Sequence, residues 1–255
     1  MNKLTLLLLI FFFTFPSQAK VLSLAQTINQ AGLQRMLSQR IAKNYILIAS
    51  QITPEKATIE LDKSIATFEE NLHNLAESIT DDKSKKALKV LKLRWFDFRI
   101  FVLSEPDRKH TIKIVDFSAD ILRTANKLVL SLERFSNKPS AKLINVSGRQ
   151  RMLSQKIALY YLASYSGFKE DYYLEQLIKT ANEFTLGLDI LMLAKGNTTQ
   201  INEELTNVHE QWSFYKSRFE SNKKARYVPR VIQVITETIL KDMNDLTSLY
   251  EAILK

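Results

Sequence analysis

The side chains best suited to chemistry in this 255-residue chain are two arginines set in one motif that occurs twice. Ile28-Asn29-Gln30-Ala31-Gly32-Leu33-Gln34-Arg35-Met36-Leu37-Ser38-Gln39-Arg40-Ile41-Ala42 recurs as Ile144-Asn145-Val146-Ser147-Gly148-Arg149-Gln150-Arg151-Met152-Leu153-Ser154-Gln155-Lys156-Ile157-Ala158, at an offset of 116 and with 11 of 15 positions identical. On a helix, Arg35 and Arg151 share a face with Gly32 and Gly148, and Gln39 and Gln155 follow on that face. A guanidinium among Ala and Ile neighbours needs an anion to offset its desolvation, and its fork fits a planar oxyanion through two parallel hydrogen bonds. Gly inside a helix costs about 1 kcal/mol relative to Ala, so its paired occurrence asks for close approach of a second helix or of a ligand.

The other reactive residue types carry less. Glu70-x-x-His73 has the spacing of a carboxylate di-metal bundle, but its repeat counterparts are Leu186 and Asp189, so a solvated helix face is the better reading. His110 and His209 have no companions at ligand spacing. The chain has no Cys, which removes disulfides, thiolate metal sites and cysteine nucleophiles together. No Ser/His/Asp arrangement, P-loop or Gly-rich dinucleotide turn is visible, so neither catalysis nor a cofactor or metal is expected. Gln34, Gln39, Gln150 and Gln155 read as hydrogen-bonding residues between helices, and Met36 and Met152 as core. Trp95, Phe96, Phe98 and Phe101 also read as core, as do Trp212, Phe214, Tyr215 and Phe219, while Lys83, Lys85, Lys86, Lys89 and Lys92 read as a solvated run.

The elements that hold the motif must be helices. Five Gly and five Pro in 255 residues are too few for a fold of many short strands and turns. The offset persists downstream: Phe68, Leu72 and Leu75 match Phe184, Leu188 and Leu191 at 116, Trp95 matches Trp212 at 117, and Leu122 and Asn126 match Leu240 and Asn244 at 118. A unit of about 115 residues is therefore duplicated in tandem, over 20–137 and 138–255. Each unit reads as four helices. Ser23-x-x-Gln26 opens the first as a capping box, Thr53-Pro54 the second, Thr80-Asp81-Asp82 the third and Ser104-Glu105-Pro106-Asp107 the fourth; Asn137-Lys138-Pro139-Ser140 separates the units. Breaks at Ser166-Gly167, Lys195 to Thr198 and Tyr227-Val228-Pro229 divide the second unit likewise, and Gly187 stands unexplained inside a helix. The expected fold is all-α, two tandem antiparallel four-helix bundle units, with a single interlaced bundle as the alternative.

Residues 1–19 are set apart from the fold. Lys3, the apolar run Leu4 to Phe15 and Pro16-Ser17-Gln18-Ala19 read as a signal peptide cleaved after Ala19, the run being too short to span a bilayer. A periplasmic chain follows. The net charge of +9 then implies small anions, anionic lipid or an acidic partner, and no nucleic acid.

Ile28-Asn29-x-Ala31-Gly32-x-x-Arg35-Met36-x-Ser38-Gln39-Arg40 and its copy at 144–156 resemble the N-terminal sensor domain shared by NarX/NarQ-type nitrate/nitrite sensor kinases and PilJ-type chemotaxis transducers of type IV pili. The Gln-Arg-Met-Leu-Ser-Gln core is closer to the PilJ-type branch. In the nitrate sensors the Arg of Gly-x-x-Arg-Met binds nitrate at the axis of a dimer. The resemblance thus implies Arg35 and Arg151 as contacts to nitrate or nitrite, with Gly32 and Gly148 giving backbone access. It also implies a pseudo-dimer within one polypeptide, an intermolecular homodimer being the other arrangement. The relatives continue into signalling domains whereas this sequence stops at Lys255, so transduction is expected to need a membrane receptor or sensor kinase. The rival expectation is a structural or adaptor module of a chemotaxis or type IV pilus system, with no small ligand.

Overall fold

The computed structural model describes residues 21–167, 169–221 and 229–253; the leader at residues 1–19 lies outside them, as do Tyr227 and Val228. Among the described residues every regular element is helical: α1 (Leu24–Ala49), α2 (Pro54–Ser78), α3 (Asp82–Val102), a 3-10 turn (Arg108–His110), α4 (Thr111–Ser136), α5 (Pro139–Tyr165), α6 (Glu170–Met192), α7 (Thr199–Ser221) and α8 (Pro229–Ile253). None of these helices is long and apolar enough to cross a membrane.

Local chemistry sets the boundaries. Ser23 and Gln26 form the expected capping box on α1. Asp81, rather than Thr80, caps α3 by accepting from the Ser84 N–H at 2.9 Å. Pro54, Pro139 and Pro229 each sit in a first turn, where the missing N–H costs nothing. Thr53 stands at the N-cap of α2 but does not cap it with its side chain; its backbone is left-handed, at φ 46°, and its hydroxyl makes no bond to the helix. The fourth helix begins at Thr111, later than the sequence suggests, because the 3-10 turn intervenes.

Within the first repeat α1 packs on α2 and α4, and α3 closes the ring against both; α5 to α8 repeat the scheme. The principal contact between the repeats is α1 on α5. The two run parallel, since their C-terminal ends meet at Ser50 and Ser166, whose Oγ atoms are 3.3 Å apart, and equivalent residues face each other across a pseudo-twofold axis. The sequence suggests an amphipathic α1. Instead α1 is buried around its circumference from Ala31 to Leu47, save for half-buried Leu33 and Arg40, because it touches helices on three sides.

The duplicated aromatic residues form each unit's core. Phe68 stacks on Trp95 at 3.9 Å between centroids, and Phe184 meets Trp212 at 4.4 Å. The aromatic clusters divide, however: Phe96 and Phe214 are exposed at 62% and 52%, since they fall on the outer faces of α3 and α7, and the side chain of Phe219 lies outside the described residues. The lysine run on α3 is exposed throughout. Glu70 and His73 are exposed too, and the described residues hold no group of three metal-ligating side chains.

Gly187 gains a reason from packing. A Cβ there would lie 2.5 Å from Gln150 Nε2, which donates to the Phe184 carbonyl at 2.8 Å. Gln150 is fully buried and has no room to swing away. Gly187→Ala is expected to lower stability by about 1–3 kcal/mol in urea denaturation. Gly196→Ala, where a Cβ meets nothing within 4 Å, is expected to be near neutral in the same experiment.

Candidate anion site at the paired arginines

The face carrying Gly, Arg and Gln on α1 meets its copy on α5, at the centre of the molecule. Arg35 and Arg151 are each 1% exposed. A methyl group on Gly32 would stand 3.5 Å from Arg35 Nη2 and 3.6 Å from Arg151 Nη2; on Gly148 the distances are 3.2 Å to Arg151 Nη2 and 3.5 Å to Arg35 Nη2. The Nη2 groups of both guanidiniums therefore lie over the two glycines. A Cβ at Gly148 would press on the Arg151 guanidinium, and one at Gly32 would touch both guanidiniums at ordinary contact distance, so the glycines let the two arginines lie close over the helices.

Each arginine is held by amides from both units. Arg35 Nη1 donates to Asn126 Oδ1 of α4 at 2.9 Å and to Asn145 Oδ1 of α5 at 2.8 Å, and its Nη2 donates to the Asn145 carbonyl at 3.1 Å. Arg151 repeats this with exchanged partners: Nη1 to Asn244 Oδ1 of α8 at 2.9 Å, and Nη2 to Asn29 of α1, at 2.6 Å to Oδ1 and 3.4 Å to the carbonyl. Behind the amides stand carboxylates. Asn29 Nδ2 donates to Glu251 at 2.5 Å, and Asn145 Nδ2 donates to Glu133. Asn29, Asn145, Asn126 and Asn244 are all repeat-matched positions, as are Glu133 and Glu251.

Among the described residues no carboxylate bonds directly to either guanidinium, and the Nε–H of both is buried without a partner. Nε and Nη2 form one edge of a guanidinium, the edge that grips a planar oxyanion through two parallel bonds. Burial, with a further contribution from facing Arg151, lowers the Arg35 pKa to about 9; burial lowers that of Arg151 to about 10, against the opposing charge of Glu251. Both are cations at neutral pH. Two like charges face each other in a buried seam, an arrangement that costs free energy in both desolvation and mutual repulsion.

The structure places the remaining motif residues in packing roles. Gln34 and Gln150 donate to the Phe68 and Phe184 carbonyls, at 3.0 Å and 2.8 Å. Gln39 donates to the Ser118 carbonyl at 3.1 Å and Gln155 to that of Thr236 at 3.5 Å. Met36 and Met152 are core. Arg149 is exposed and pairs with Glu183 at 2.9 Å, away from the seam. The four asparagines that hold the arginines are what sequence reasoning missed as a set. Their signal was identity between repeats at an amide that can accept from Arg.

The family model described as type IV pili methyl-accepting chemotaxis transducer N-term, PilJ, matches residues 18–93 and 135–234, more than half of the chain. The chain belongs to the PilJ family. Each matched segment of this PilJ-family chain contains one copy of the Gly-x-x-Arg-Met motif. The family is one of sensor-type helical domains, and the all-α architecture agrees with it. No curated protein and no solved structure matches the chain.

Proposed function

We propose that this is an exported, periplasmic sensor module of a chemotaxis or type IV pilus system, which takes one small planar oxyanion, nitrate or nitrite, between Arg35 and Arg151. The observation that carries this reading is the pair of buried guanidiniums whose Nε–H groups lack partners and whose Nη2 groups lie together over Gly32 and Gly148. Residues 20–137 and 138–255 act as two sensor units that complete one site, each giving one arginine and the asparagine that steadies the other. Because the site lies in the α1–α5 seam, occupancy biases how the two units pack, and a membrane receptor or sensor kinase reads that change.

The reciprocal bonds between Arg and Asn favour a second reading, a structural or adaptor module in which the network clasps the two units together. Nitrate separates the two. On the sensor reading, nitrate at a hundredfold excess over its Kd stabilises the protein by about 2.7 kcal/mol. At roughly 2–4 °C per kcal/mol for a chain of this size, Tm rises by about 5–10 °C relative to chloride at equal ionic strength. The clasp reading expects no difference between the two salts.

The pH profile of this stabilisation follows from the arginines. Nitrate does not titrate near neutrality, and it needs the guanidiniums charged. The nitrate-dependent shift in Tm is therefore expected to be full at neutral pH and to fall as pH rises through about 9 and then about 10. A shift that holds its size beyond that range would place the anion elsewhere.

A further inference from the structure

A cavity of about 660 Å³ opens between α1, the start of α2 and α8, apart from the arginine seam. At its floor Lys43 is 3% exposed and donates to Gln155 Oε1 at 2.8 Å and Glu237 Oε1 at 2.5 Å, which leaves one of its three N–H groups free. Two further donors belong to lining residues and have no partner, though both atoms are closed off from the cavity surface: Nδ2 of Asn44, a residue 2% exposed, and the hydroxyl of Thr53. Of the three lining acids, Glu60 and Glu237 are engaged, and Glu55 stands exposed at the rim. Arg40 pairs with Glu60 and with Glu237, the latter at 3.1 Å. What the free donor of Lys43 at the floor lacks is an acceptor.

The other repeat supplies an internal control, because the equivalent cleft there is filled. Asn44 corresponds to Tyr160 and Ala57 to Tyr173, and these two rings stack at 5.9 Å. Lys43 corresponds to fully buried Leu159, and Glu237 to Ala119. One copy of the duplicated unit thus closes the cleft with two tyrosines and an aliphatic floor. The other removes both rings and buries an ammonium. A lysine confined in this way loses hydration and side-chain entropy, a cost that closing the cleft with Leu would avoid.

We infer that this cavity is a binding site for a small organic carboxylate, its carboxylate accepting from Lys43, with the Asn44 amide and the Thr53 hydroxyl rotating toward it on binding. The volume far exceeds a triatomic or tetratomic anion, so the occupant has a carbon body, which Ala57 and Val234 can contact. The lining carries four cations (Arg40, Lys43, Lys56, Arg230) against three carboxylates (Glu55, Glu60, Glu237), a balance that suits one negative charge. The site joins α1 and α2 of one unit to α8 of the other and is independent of the proposed nitrate site.

Calorimetric titration of the chain with gluconate and L-lactate, beside the neutral controls glucose and lactamide, tests the assignment. At least one of the two carboxylates is expected to bind, and neither control. Lys43→Leu, which restores the residue of the other repeat, is expected to weaken that binding at least about tenfold by removing a charge-assisted hydrogen bond. The double substitution Asn44→Tyr, Ala57→Tyr should abolish it, and Ala57→Leu provides a milder filling should the double variant not fold. Arg35→Met, Arg151→Met leaves it intact, whatever becomes of nitrate. The assignment is overturned if neither carboxylate binds, if the neutral controls bind equally, or if a folded, cavity-filled variant binds as well as the parent.

Discussion

Arg35→Met and Arg151→Met are each expected to weaken nitrate binding by about 2–5 kcal/mol, a loss of roughly thirtyfold to a few thousandfold. The two losses should be alike, because the anion lies between the guanidiniums and a single arginine leaves half of its oxygens without charged donors. Arg35→Lys keeps the charge but not the fork, so an intermediate affinity is expected. The stability of the anion-free protein should change far less than the affinity. Removing Arg35 leaves the Asn126 and Asn145 oxygens without their donor, which destabilises, but it also removes one of two facing buried cations, which stabilises. Urea denaturation with and without nitrate separates the quantities. A large loss of anion-free stability with no effect of nitrate on any variant is the result that a clasp would give.

Gly32→Ala should part binding from folding in the opposite sense. Its methyl would meet Arg35 Nη2 and Arg151 Nη2 at 3.5 Å and 3.6 Å, ordinary contact distances that the anion-free protein accommodates. Ala also gains about 1 kcal/mol over Gly in a helix interior. The anion-free variant is thus expected to equal or exceed the parent in stability. An oxygen bonded to those Nη2 atoms must approach to about 2.9 Å, into the volume that the methyl now fills. Nitrate affinity should fall at least about tenfold, worth about 1.4 kcal/mol. Gly148→Ala is tighter, at 3.2 Å from Arg151 Nη2, and should lose binding while keeping less of the helical gain. If Gly32→Ala bound nitrate like the parent, the space over the glycines would not be the site.

Much of this was legible in the sequence because the duplication acts as its own comparison. Phe68 with Trp95 and Phe184 with Trp212, found as repeat matches, are the aromatic pairs in contact at the two cores. The prolines marked helix starts because their chemistry is local. The glycines marked the seam because only a close approach justifies Gly in mid-helix. The depth of the seam was less legible. A charged side chain ordinarily marks the wet face of a helix, so Arg35 on α1 and Arg151 on α5 make both helices look amphipathic. Burial all round appears only when α5 is known to lie against α1. The exchange of partners, in which Arg35 takes Asn145 and Arg151 takes Asn29, needed the parallel α1–α5 packing that no local signal encodes. The lysine cavity was invisible for the opposite reason. Lys43, Asn44, Ala57 and Glu237 differ from their repeat counterparts, so a comparison tuned to identity passes over them.

The most direct measurement is calorimetric titration of the folded chain with nitrate, run in parallel on the parent, Arg35→Met and Arg151→Met. The account predicts one nitrate bound per chain in the parent and a loss of at least about thirtyfold in each variant. No heat of binding in the parent, or affinity unchanged when either arginine is removed, would contradict it.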